Sequence, residues 1–401
     1  MNALLKEIVP KSKQKRIIER ALAEGVNLDN VLIRKGLTYE DLRYTTSDPF
    51  LEINGGYKNL SEFRMPFHGV PVVSFFSGCG GLDLGFEAAG FEHALLIEHN
   101  EIFCRTLRHN RDWKVIGPPD QQGDVSNRGA ISRVLRSNGI DADFPGVFIG
   151  GPPCQPFSIA ANQRFSKNGE NFKRTGFDHE VNGNLLFDFV WYIKKFRPAA
   201  FLIENVPGII ELDGGAQISR AYSILQEQGY QINEPLKINA AHYSVPQQRE
   251  RVFIVGSRFN SKFDAPQRAN QIVPCISALQ GINPDCPNHQ TRKHQAGSVL
   301  RYMELDFGKR DQLGRVDRLD PSLPSKTVIA GGTSGGGRSH LHPYIPRTLS
   351  VRECARLQTF PDDYEFLGSS ARQFTQVGNS VPPVLAAQMA AAIKKSYFPN
   401  G

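Results

Sequence analysis

The distribution of apolar and polar residues in the middle of the chain predicts a series of buried strands separated by helices and polar turns. Short apolar runs occur at 70–76, 94–97, 147–149, 199–203, 232–239 and 252–255. Such runs are typical of strands that are buried on both faces of a parallel sheet. Helical patterns lie between several of them, at 82–90, 185–196 and 218–228. This order of elements predicts an α/β fold.

Other stretches flank or interrupt this α/β pattern and divide the chain into four parts. Residues 1–70 look like a helical extension, and 71–257 carry the alternating strands and helices. Residues 258–346 have weak periodicity and many Pro, Gly and Asn residues, which predicts a separate, loop-rich domain inserted into the first. Helical patterns return afterwards, so 347–401 are expected to rejoin the α/β domain.

The N-terminal extension has two possible interpretations. Helical spacing at 11–24 and two further short helices within 27–42, with breaks at Gly25 and Gly36, would suit a helix-turn-helix. The charge of residues 1–70 is nearly balanced, with eleven basic and nine acidic residues. We therefore favour a plain helical cap, and a DNA-binding module is the alternative.

Positive charge is concentrated in the inserted stretch. The chain has 401 residues and a formal net charge of +7. Residues 257–347 contain thirteen Lys and Arg against seven Asp and Glu, a local excess of +6 that accounts for nearly all of this charge. A basic segment of this size indicates a polyanionic partner, although an ordinary solvated surface can have the same composition.

Composition also bears on the compartment and on metals. No run of about 18 apolar residues occurs, and the basic first 15 residues lack the apolar centre of a secretory signal. Six cysteines in a chain of this length fit a reducing cytosol. Cys275, Cys286, His289 and His294 do not follow the ligand spacing of a zinc finger. We therefore expect a cytosolic protein without a metal.

A glycine-rich turn follows the first predicted strand. Residues 77–81, which include Gly78 and Gly80, lie between that strand and a helix, as in a Rossmann-like unit that binds a nucleotide. Glu98, at the end of the next strand, is placed to accept hydrogen bonds from ribose hydroxyls, and Asp124 could meet an adenine amino group. These features indicate an adenosine-containing cofactor. The nicotinamide spacing GxGxxG is absent, which favours S-adenosylmethionine.

A cysteine stands just past the end of another predicted strand. Cys154 lies in the segment 150–158, directly after the apolar run 147–149. Open α/β sheets place their ligands at the carboxyl ends of strands. Pro152 and Pro153 fix two φ angles, so the turn before the thiol is stiff. A structural cysteine is the alternative for such a turn when it is considered alone.

Together these residues suit methyl transfer to carbon 5 of a pyrimidine. Cys154, with its pKa lowered by a turn leading into a helix, is the candidate nucleophile that adds to carbon 6. Glu204, at the end of a strand, is the candidate partner of N3, for which a carboxyl with a raised pKa is needed. Arg249 and Arg251 could orient that carboxylate and hold cytosine O2 or a phosphate. Surface ion pairs are the alternative role for the two arginines.

With these residues and motifs, the chain resembles a known family, the DNA (cytosine-5) methyltransferases of bacterial restriction-modification systems. Six blocks match in the family's order, at 75–81, 150–158, 204–206, 247–251, 347–358 and 376–382. Each block is weak evidence alone, but their shared order makes coincidence implausible. The resemblance covers roughly 70–257 and 345–395, and it says little about residues 1–70.

The resemblance implies a Rossmann-like S-adenosylmethionine-dependent methyltransferase domain with an inserted, loop-rich target-recognition domain at 258–346. It implies that Cys154, Glu204 and Arg251 carry catalysis, and we expect Arg249 to act with them. The cofactor contacts that it implies are Phe76, Glu98, Asp124, Asn379 and Val381. We expect further cofactor contacts at Gly78, Gly80, Leu82, Pro152 and Ser380. The DNA contacts that we expect are Gln155, Ser158, Arg164, Arg301, Arg315 and Arg318.

The substrate implied by the resemblance is duplex DNA with a short specific site. Residues 159–184 would close over the DNA, and the target cytosine would be flipped out of the helix. We expect a monomer in the bacterial cytosol, associated with the nucleoid, whose cognate restriction endonuclease is a genetic rather than a physical partner.

Three other functions share part of this pattern. An RNA cytosine-5 methyltransferase of the same family would keep these motifs, but its Cys-Phe-Thr tripeptide does not occur here. A nicotinamide oxidoreductase would need the missing glycine spacing. A non-catalytic DNA-binding regulator would leave the pairing of Cys154 with Glu204 unexplained.

Overall fold

The computed structural model describes residues 9–44, 56–153, 185–330 and 340–399. The chain divides into two compact units. Unit 1 comprises Met1–Tyr57, Val245–Gln248 and Gln271–Asn379. Unit 2 comprises Lys58–Ser244, Arg249–Asn270 and Ser380–Gly401. In the parts of the chain that the structure describes, no helix is long and apolar enough to cross a membrane.

The secondary structure is numbered along the chain. The strands are β1 (Pro71–Phe75), β2 (Glu92–Ile97), β3 (Val115–Ile116), β4 (Val147–Gly150), β5 (Ala200–Asn205), β6 (Gln231–Ile232), β7 (Leu236–Asn239), β8 (Glu250–Ser257), β9 (Arg310–Asp311), β10 (Val316–Arg318) and β11 (His340–Leu341). The helices are α1 (Lys11–Ala23), α2 (Leu28–Arg34), α3 (Gly81–Ala88), α4 (Glu101–Asn110), α5 (Arg128–Ser137), α6 (Leu185–Phe196), α7 (Gly208–Glu211), α8 (Ala216–Gln226), α9 (Cys275–Leu279), α10 (Ala296–Tyr302), α11 (Val351–Leu357), α12 (Ser370–Asn379) and α13 (Pro383–Tyr397). Short 3₁₀ turns occur at Tyr39–Asp41, Leu60–Phe63, Leu212–Gly215 and Ala240–Tyr243.

Unit 2 is built on an eight-stranded sheet with the order β3-β2-β1-β4-β5-β8-β6, and β7 pairs with β8. The first five strands in this order are parallel, and β8 is antiparallel to β5. The chain leaves β1 towards β2 on one side and later returns to β4 on the other. Ligands of open α/β sheets bind outside the carboxyl ends of strands where the order reverses, which here are β1 and β4.

The core of unit 2 is aromatic and lies against this sheet. Phe75 of β1 packs on Phe148 of β4 and on Phe189 of α6, with ring centroids 5.1 and 5.0 Å apart. These apolar side chains are fully buried, as the continuous apolar runs in the sequence predicted. The packing fixes where the ends of β1 and β4 lie, and therefore where the turns that follow them begin.

A close helix contact ties the C-terminal helix to the start of unit 2. A Cβ built on Gly85 of α3 would lie 2.3 Å from the Cβ of Ala386 in α13. The two helices can therefore approach each other only because residue 85 has no side chain. Helix α13 therefore packs against the first helix of unit 2.

Unit 1 contains a small three-stranded sheet, in the order β11-β10-β9. The N-terminal helices share a hydrophobic core with α10, in which Ile18, Val31 and Leu32 pack with Val299 and Met303. The sequence suggested an appendage for residues 1–70, whereas residues 9–44 form part of the interior of this unit. The functional domain boundaries predicted from the sequence stay a prediction.

Candidate active site

The turn after β1 has the backbone geometry of a nucleotide-binding turn. Phe76, Gly78 and Gly80 have φ angles of 55°, 57° and 82°, in the left-handed region. Glycine adopts this region without strain, and Gly80 is the residue before α3. Leu82 is buried in the first turn of that helix. Among the described residues, a Cβ built on Gly78 would meet no atom closer than 4.0 Å, so space is open beside the turn.

Glu98 lies beside this turn, immediately after β2. One carboxylate oxygen accepts a hydrogen bond of 2.8 Å from the backbone N–H of Gly78, and the other accepts one of 2.7 Å from Asn100. The side chain is almost completely buried. These contacts orient the Glu98 carboxylate. Because each carboxylate oxygen can accept more than one hydrogen bond, the carboxylate can still accept hydrogen bonds from a ligand.

The remaining predicted cofactor residues lie in different settings. Asp124 is exposed, and its carboxylate accepts hydrogen bonds from the backbone N–H and the hydroxyl of Ser126. Ser380 and Val381 are buried at the start of the last segment of unit 2. Asn379 is the last residue of α12 and belongs to unit 1.

Cys79, within the glycine-rich turn, is unsuited to be a nucleophile. Its sulfur lies 2.9 Å from the hydroxyl oxygen of Ser380. Burial raises the pKa of the Cys79 thiol to about 12, although the Ser380 hydroxyl acts in the opposite direction. A thiol with this pKa is protonated at neutral pH, and only a thiolate attacks efficiently.

The turn that leads towards Cys154 lies against the end of β5. A Cβ built on Gly151 would be 2.9 Å from a carboxylate oxygen of Glu204. The side-chain amide of Asn205 donates a hydrogen bond of 3.2 Å to the carbonyl of Pro152. The described part of this turn ends at Pro153, and the predicted site residues Cys154, Gln155, Ser158 and Arg164 lie outside the described residues.

Glu204 is held by an arginine from the neighbouring strand. It is the fifth residue of β5, and β8 runs antiparallel beside it. The guanidinium Nε of Arg251 lies 2.9 Å from a carboxylate oxygen of Glu204, and their side chains are 15% and 12% exposed. Arg249, just before β8, is completely buried.

The charges around Glu204 act in opposite directions. Burial raises the pKa of the Glu204 carboxyl, while the positive charges of Arg251 and Arg249 lower it, and the net direction is upward. Burial and the like charge of Arg251 lower the pKa of the Arg249 guanidinium. Glu204 is therefore closer to holding a proton at neutral pH than an exposed glutamate is.

The predicted DNA contacts in unit 1 fall into two groups. Arg315 is exposed, whereas Arg301 is partly exposed and its Nε lies 3.3 Å from a carboxylate oxygen of Asp311. Arg318 is only 4% exposed, and it donates hydrogen bonds to the carbonyls of Pro343 and Leu305. Because its guanidinium is used inside the protein, we withdraw Arg318 from the expected DNA contacts.

The side chains considered for zinc have other partners. The Cys275 sulfur donates to the carbonyl of Asp320, and the Cys286 sulfur donates to that of Asp362. His289 and His294 pair with hydroxyls, those of Ser350 and Thr348. In the described ranges, no group of three or more His, Cys, Asp and Glu residues could hold a metal ion.

Two buried polar residues of the matching sequence blocks, one in each unit, were not singled out from the sequence. Asn205 ties β5 to the turn after β4, and it stands beside Glu204 in the 204–206 block. Gln247 accepts from the backbone N–H of Val328 and donates to Gln358 within unit 1. Both are polar and almost completely buried, but burial of a polar residue is set by packing and cannot be read from the motif alone.

The fold and the site together define an α/β enzyme with an open nucleotide turn at one strand end and a carboxylate and a candidate cysteine turn at its neighbours. The model of the family described as C-5 cytosine-specific DNA methylase matches residues 70–395. The chain belongs to this family. It is a DNA (cytosine-5) methyltransferase, as the sequence motifs predicted.

Named relatives and solved structures agree with this assignment. The chain is 32% identical to the Type II methyltransferase M.PspPI of Psychrobacter sp. (strain TA137), over 82% of this chain and 80% of that protein. It is 33% identical to the Type II methyltransferase M.MthTI of Methanothermobacter thermautotrophicus, over 81% and 97%. A proposed DNA modification methyltransferase from an Escherichia coli prophage has a TM-score of 0.65 at 25% identity, covering 82% of this chain and 99% of that chain. The S. pombe Dnmt2 methyltransferase, at 15% identity and a TM-score of 0.55 over 82% and 99%, shows the fold alone.

Proposed function

We propose that the protein methylates carbon 5 of a cytosine within a short specific site of duplex DNA, with S-adenosylmethionine as methyl donor. The observation that carries this proposal is the position of Glu204. Its carboxylate lies beside Gly151, in the turn that leads to Cys154, and it is held by Arg251. A protonatable carboxyl beside a turn that leads to a thiol could act together with that thiol on two atoms of one flipped pyrimidine ring.

Cys154 is the nucleophile in this proposal. Its thiolate adds to carbon 6 of the cytosine, and the resulting enamine makes carbon 5 nucleophilic. After methylation, loss of the carbon 5 proton expels the thiolate. The stiff segment with Pro152 and Pro153 directs the thiol, and the hydrogen bond from Asn205 to the Pro152 carbonyl holds this segment against β5.

Glu204 supports the addition at the other side of the ring. Burial makes its protonated form more available, so it can donate to N3 while the thiolate adds to carbon 6. Arg251 fixes the carboxyl through its ion pair, and the buried charge of Arg249 stabilises the carboxylate that forms.

The donor set at the end of β1 and β2 fits S-adenosylmethionine. The backbone at Gly78 is open to a close approach, and Glu98 has a fixed carboxylate for ribose hydroxyls. Asp124 would meet the adenine amino group, and Phe76, Leu82, Pro152, Asn379, Ser380 and Val381 would complete the contacts. When bound, this cofactor supplies an electrophilic methyl group.

The biological role that we propose is protection of host DNA from a cognate restriction endonuclease. Relatives over most of the chain are named Type II methyltransferases. The endonuclease would be a genetic partner only, and the enzyme would act as a monomer on nucleoid DNA in the cytosol. Residues 258–346 would recognise the target, and 159–184 would close over it.

Mapping the product tests this function. Duplex DNA and tRNA are incubated with the full-length protein and S-adenosylmethionine, and 5-methylcytosine is located by bisulfite sequencing. Methylation of one cytosine within a recurring DNA site is expected. Methylation of tRNA alone would replace this proposal with the RNA alternative.

Trapping the covalent intermediate tests the nucleophile. Duplex DNA with 5-fluorocytosine at the target should become attached to Cys154, because fluorine at carbon 5 cannot leave as a proton. Cys154→Ala should form no adduct, whereas Cys286→Ser, a half-buried cysteine of unit 1, should form it normally. An adduct on any other cysteine, identified by mass spectrometry, would refute the assignment.

A further inference from the structure

A β-hairpin of unit 1 carries an unusually exposed turn. Strands β9 and β10 pair antiparallel, with Val316 opposite Asp311, and residues 312–315 connect them. The side chain of Leu313 is 77% exposed, more than any other large apolar side chain in the described ranges. Gln312 and Arg315 are also exposed. The turn therefore presents an amide, an aliphatic group and a guanidinium to the surroundings.

The turn is held in one conformation from within the hairpin. The buried carboxylate of Asp311 accepts a hydrogen bond of 2.6 Å from the backbone N–H of Gly314. Arg301 of α10 holds the other oxygen of that carboxylate at 3.3 Å. A Cβ on Gly314 would lie 2.6 Å from the Asp311 carboxylate and 3.3 Å from the Tyr302 hydroxyl. Glycine is thus required where the turn passes over Asp311.

The base of the hairpin is braced as well. The guanidinium of Arg318 lies between the rings of Tyr44 and Phe307, 3.6 and 4.0 Å from their centroids. Buried Asp317 pairs with Arg310 at 3.4 Å and with Lys326 at 3.0 Å. Cation–π contacts and charge-assisted hydrogen bonds of this kind resist movement of the strand. The hairpin is therefore a rigid support for its turn.

Arg315 has a backbone conformation that is unfavourable for its residue type. Its φ angle is 53°, in the left-handed region that non-glycine residues rarely adopt. The Arg310 guanidinium donates to the Arg315 carbonyl at 3.2 Å and so helps to hold this conformation. Strain that the surrounding structure maintains is found most often at functional sites.

From these contacts we infer that the turn 312–315 reads bases in the major groove of the DNA substrate, with Arg315 contacting a guanine and Gln312 an adenine. This inference rests on the proposed function. A two-stranded ribbon fits the groove, which is about 12 Å wide, and Arg and Gln form bidentate pairs with guanine and adenine. Leu313 supplies an apolar contact of the kind that a thymine methyl group accepts.

The three arginines that were expected to contact DNA have different roles in this arrangement. Arg315 contacts a base, Arg301 positions the turn through Asp311, and Arg318 braces the base of the hairpin. The exposed cations Lys309 and Arg310 flank the hairpin and suit phosphate contacts, which set affinity but carry no sequence information.

The test compares the sites that variants methylate in a random-sequence duplex library. For Arg315→Ala, discrimination at one guanine position of the site should fall about 5- to 150-fold, while the other positions stay specific. Gln312→Ala should have the same effect at one adenine position. Lys35→Ala removes an exposed cation from unit 1 outside the hairpin and should leave the site unchanged. Thermal unfolding and S-adenosylmethionine binding without DNA should match the wild type for all three variants.

Two results would overturn the inference. The first is an unchanged site preference in both hairpin variants. The second is a uniform loss of methylation over all sequences for Arg315→Ala with a weaker salt dependence, which would make Arg315 a phosphate contact. Failure of the proposed function is distinguishable, because then the wild-type protein itself would methylate no defined site in duplex DNA.

Discussion

At the scale of single residues, the environment of Glu204 determines how the proposed reaction depends on pH. Burial raises the pKa of this carboxyl despite two nearby arginines, so its protonated form persists to higher pH than that of an exposed glutamate. Donation to N3 requires the proton. The step should therefore weaken as the pH rises through the raised pKa of Glu204 and the carboxyl ionises.

Glu204→Gln tests this dependence. The amide can donate to N3 but cannot shuttle a proton, so we expect turnover to fall about 10²- to 10⁴-fold without disappearing. The alkaline decline of kcat that is due to Glu204 should also be absent, since an amide does not titrate. Single-turnover rates from pH 5.5 to 9 measure both effects. An unchanged alkaline decline in the variant would assign that ionisation to another group.

Gly151→Ala tests the closeness of the cysteine turn and the carboxylate. The added methyl group would lie 2.9 Å from a Glu204 oxygen, so either the turn or the carboxylate must move. We expect kcat to fall about 10- to 100-fold, because small displacements of reacting groups are costly. Gly129→Ala, at an exposed position of α5 with its nearest neighbour at 3.9 Å, is the matched control. Equal activity of the two variants would contradict the described geometry.

At the scale of elements, α11 is anchored by a buried ion-pair network. Arg347 is 2% exposed and pairs with Glu353 at 2.9 Å and with Glu40 at 2.7 Å. Glu353 also accepts from the backbone N–H of Ser350, which completes a capping box at the start of α11. One arginine thus connects the N-terminal segment to this helix.

The network predicts an acid-sensitive contribution to stability. Burial alone would raise the pKa of Glu353, but Arg347 and the hydrogen bonds lower it to about 2. Since the folded pKa lies below the unfolded one, the stabilisation is complete above about pH 4.5 and is lost as the pH falls towards 2. The lowering of the Glu353 pKa corresponds to a contribution of about 3 kcal/mol to the free energy of unfolding at neutral pH.

Glu353→Gln should therefore lower the free energy of unfolding at pH 7 by about 3 kcal/mol. Between pH 4.5 and 2 it should lose less further stability than the wild type does. Urea unfolding at several pH values, followed by circular dichroism, measures the difference. Parallel losses in both proteins would show that other carboxylates control the acid sensitivity.

The elements that the sequence predicted well are those whose apolar runs determine their burial. The helix expected at 185–196 is α6, and the strand expected at 70–76 is β1 with slightly shorter bounds. The stretch 232–239, expected as one strand, forms β6 and β7. Helix α12 was not predicted, because Gly378 lies within it and glycine is unfavourable inside a helix. In the structure Gly378 packs against Ala330, a residue distant in sequence. Local periodicity does not report such packing.

At the scale of the whole molecule, the Rossmann-like fold was predictable and is confirmed, whereas the position of the N-terminal segment was not predictable. The charge of residues 1–70 and their short helices gave no indication of a partner. Their partner is α10, more than 250 positions away, and Tyr39 donates a hydrogen bond to the carbonyl of His294, just before that helix. No local pattern of one sequence encodes such a pairing.

This packing predicts how recognition can be transferred between relatives. Exchanging residues 258–346 alone would replace Val299 and Met303 opposite Ile18 and Val31, so the shared core would be mismatched. We expect that chimera to unfold at a lower temperature and to methylate poorly. Exchanging 9–44 together with 258–346 should restore stability and give the relative's methylation site.

Thermal unfolding and bisulfite mapping of the two chimeras check this expectation. The affinity for S-adenosylmethionine should stay nearly unchanged in the double exchange, because the proposed strand-end contacts at Glu98 and Asp124 are retained. A double chimera that still methylates the original sequence would show that recognition lies outside both exchanged segments.

The ion pair between Glu40 and Arg347 also constrains how the protein is made. Its two residues are 307 positions apart, so a ribosome adding about 5–20 residues per second needs roughly 15–60 s to supply the second after the first. For most of this interval, until residues 296–302 are made, the N-terminal helices have no α10 to cover their apolar faces. Helix α3 likewise waits for α13, since Ala386 follows Gly85 by 301 positions. The nascent chain is therefore a candidate for chaperone binding, and the contact between α3 and α13 cannot form before α13 has been synthesised.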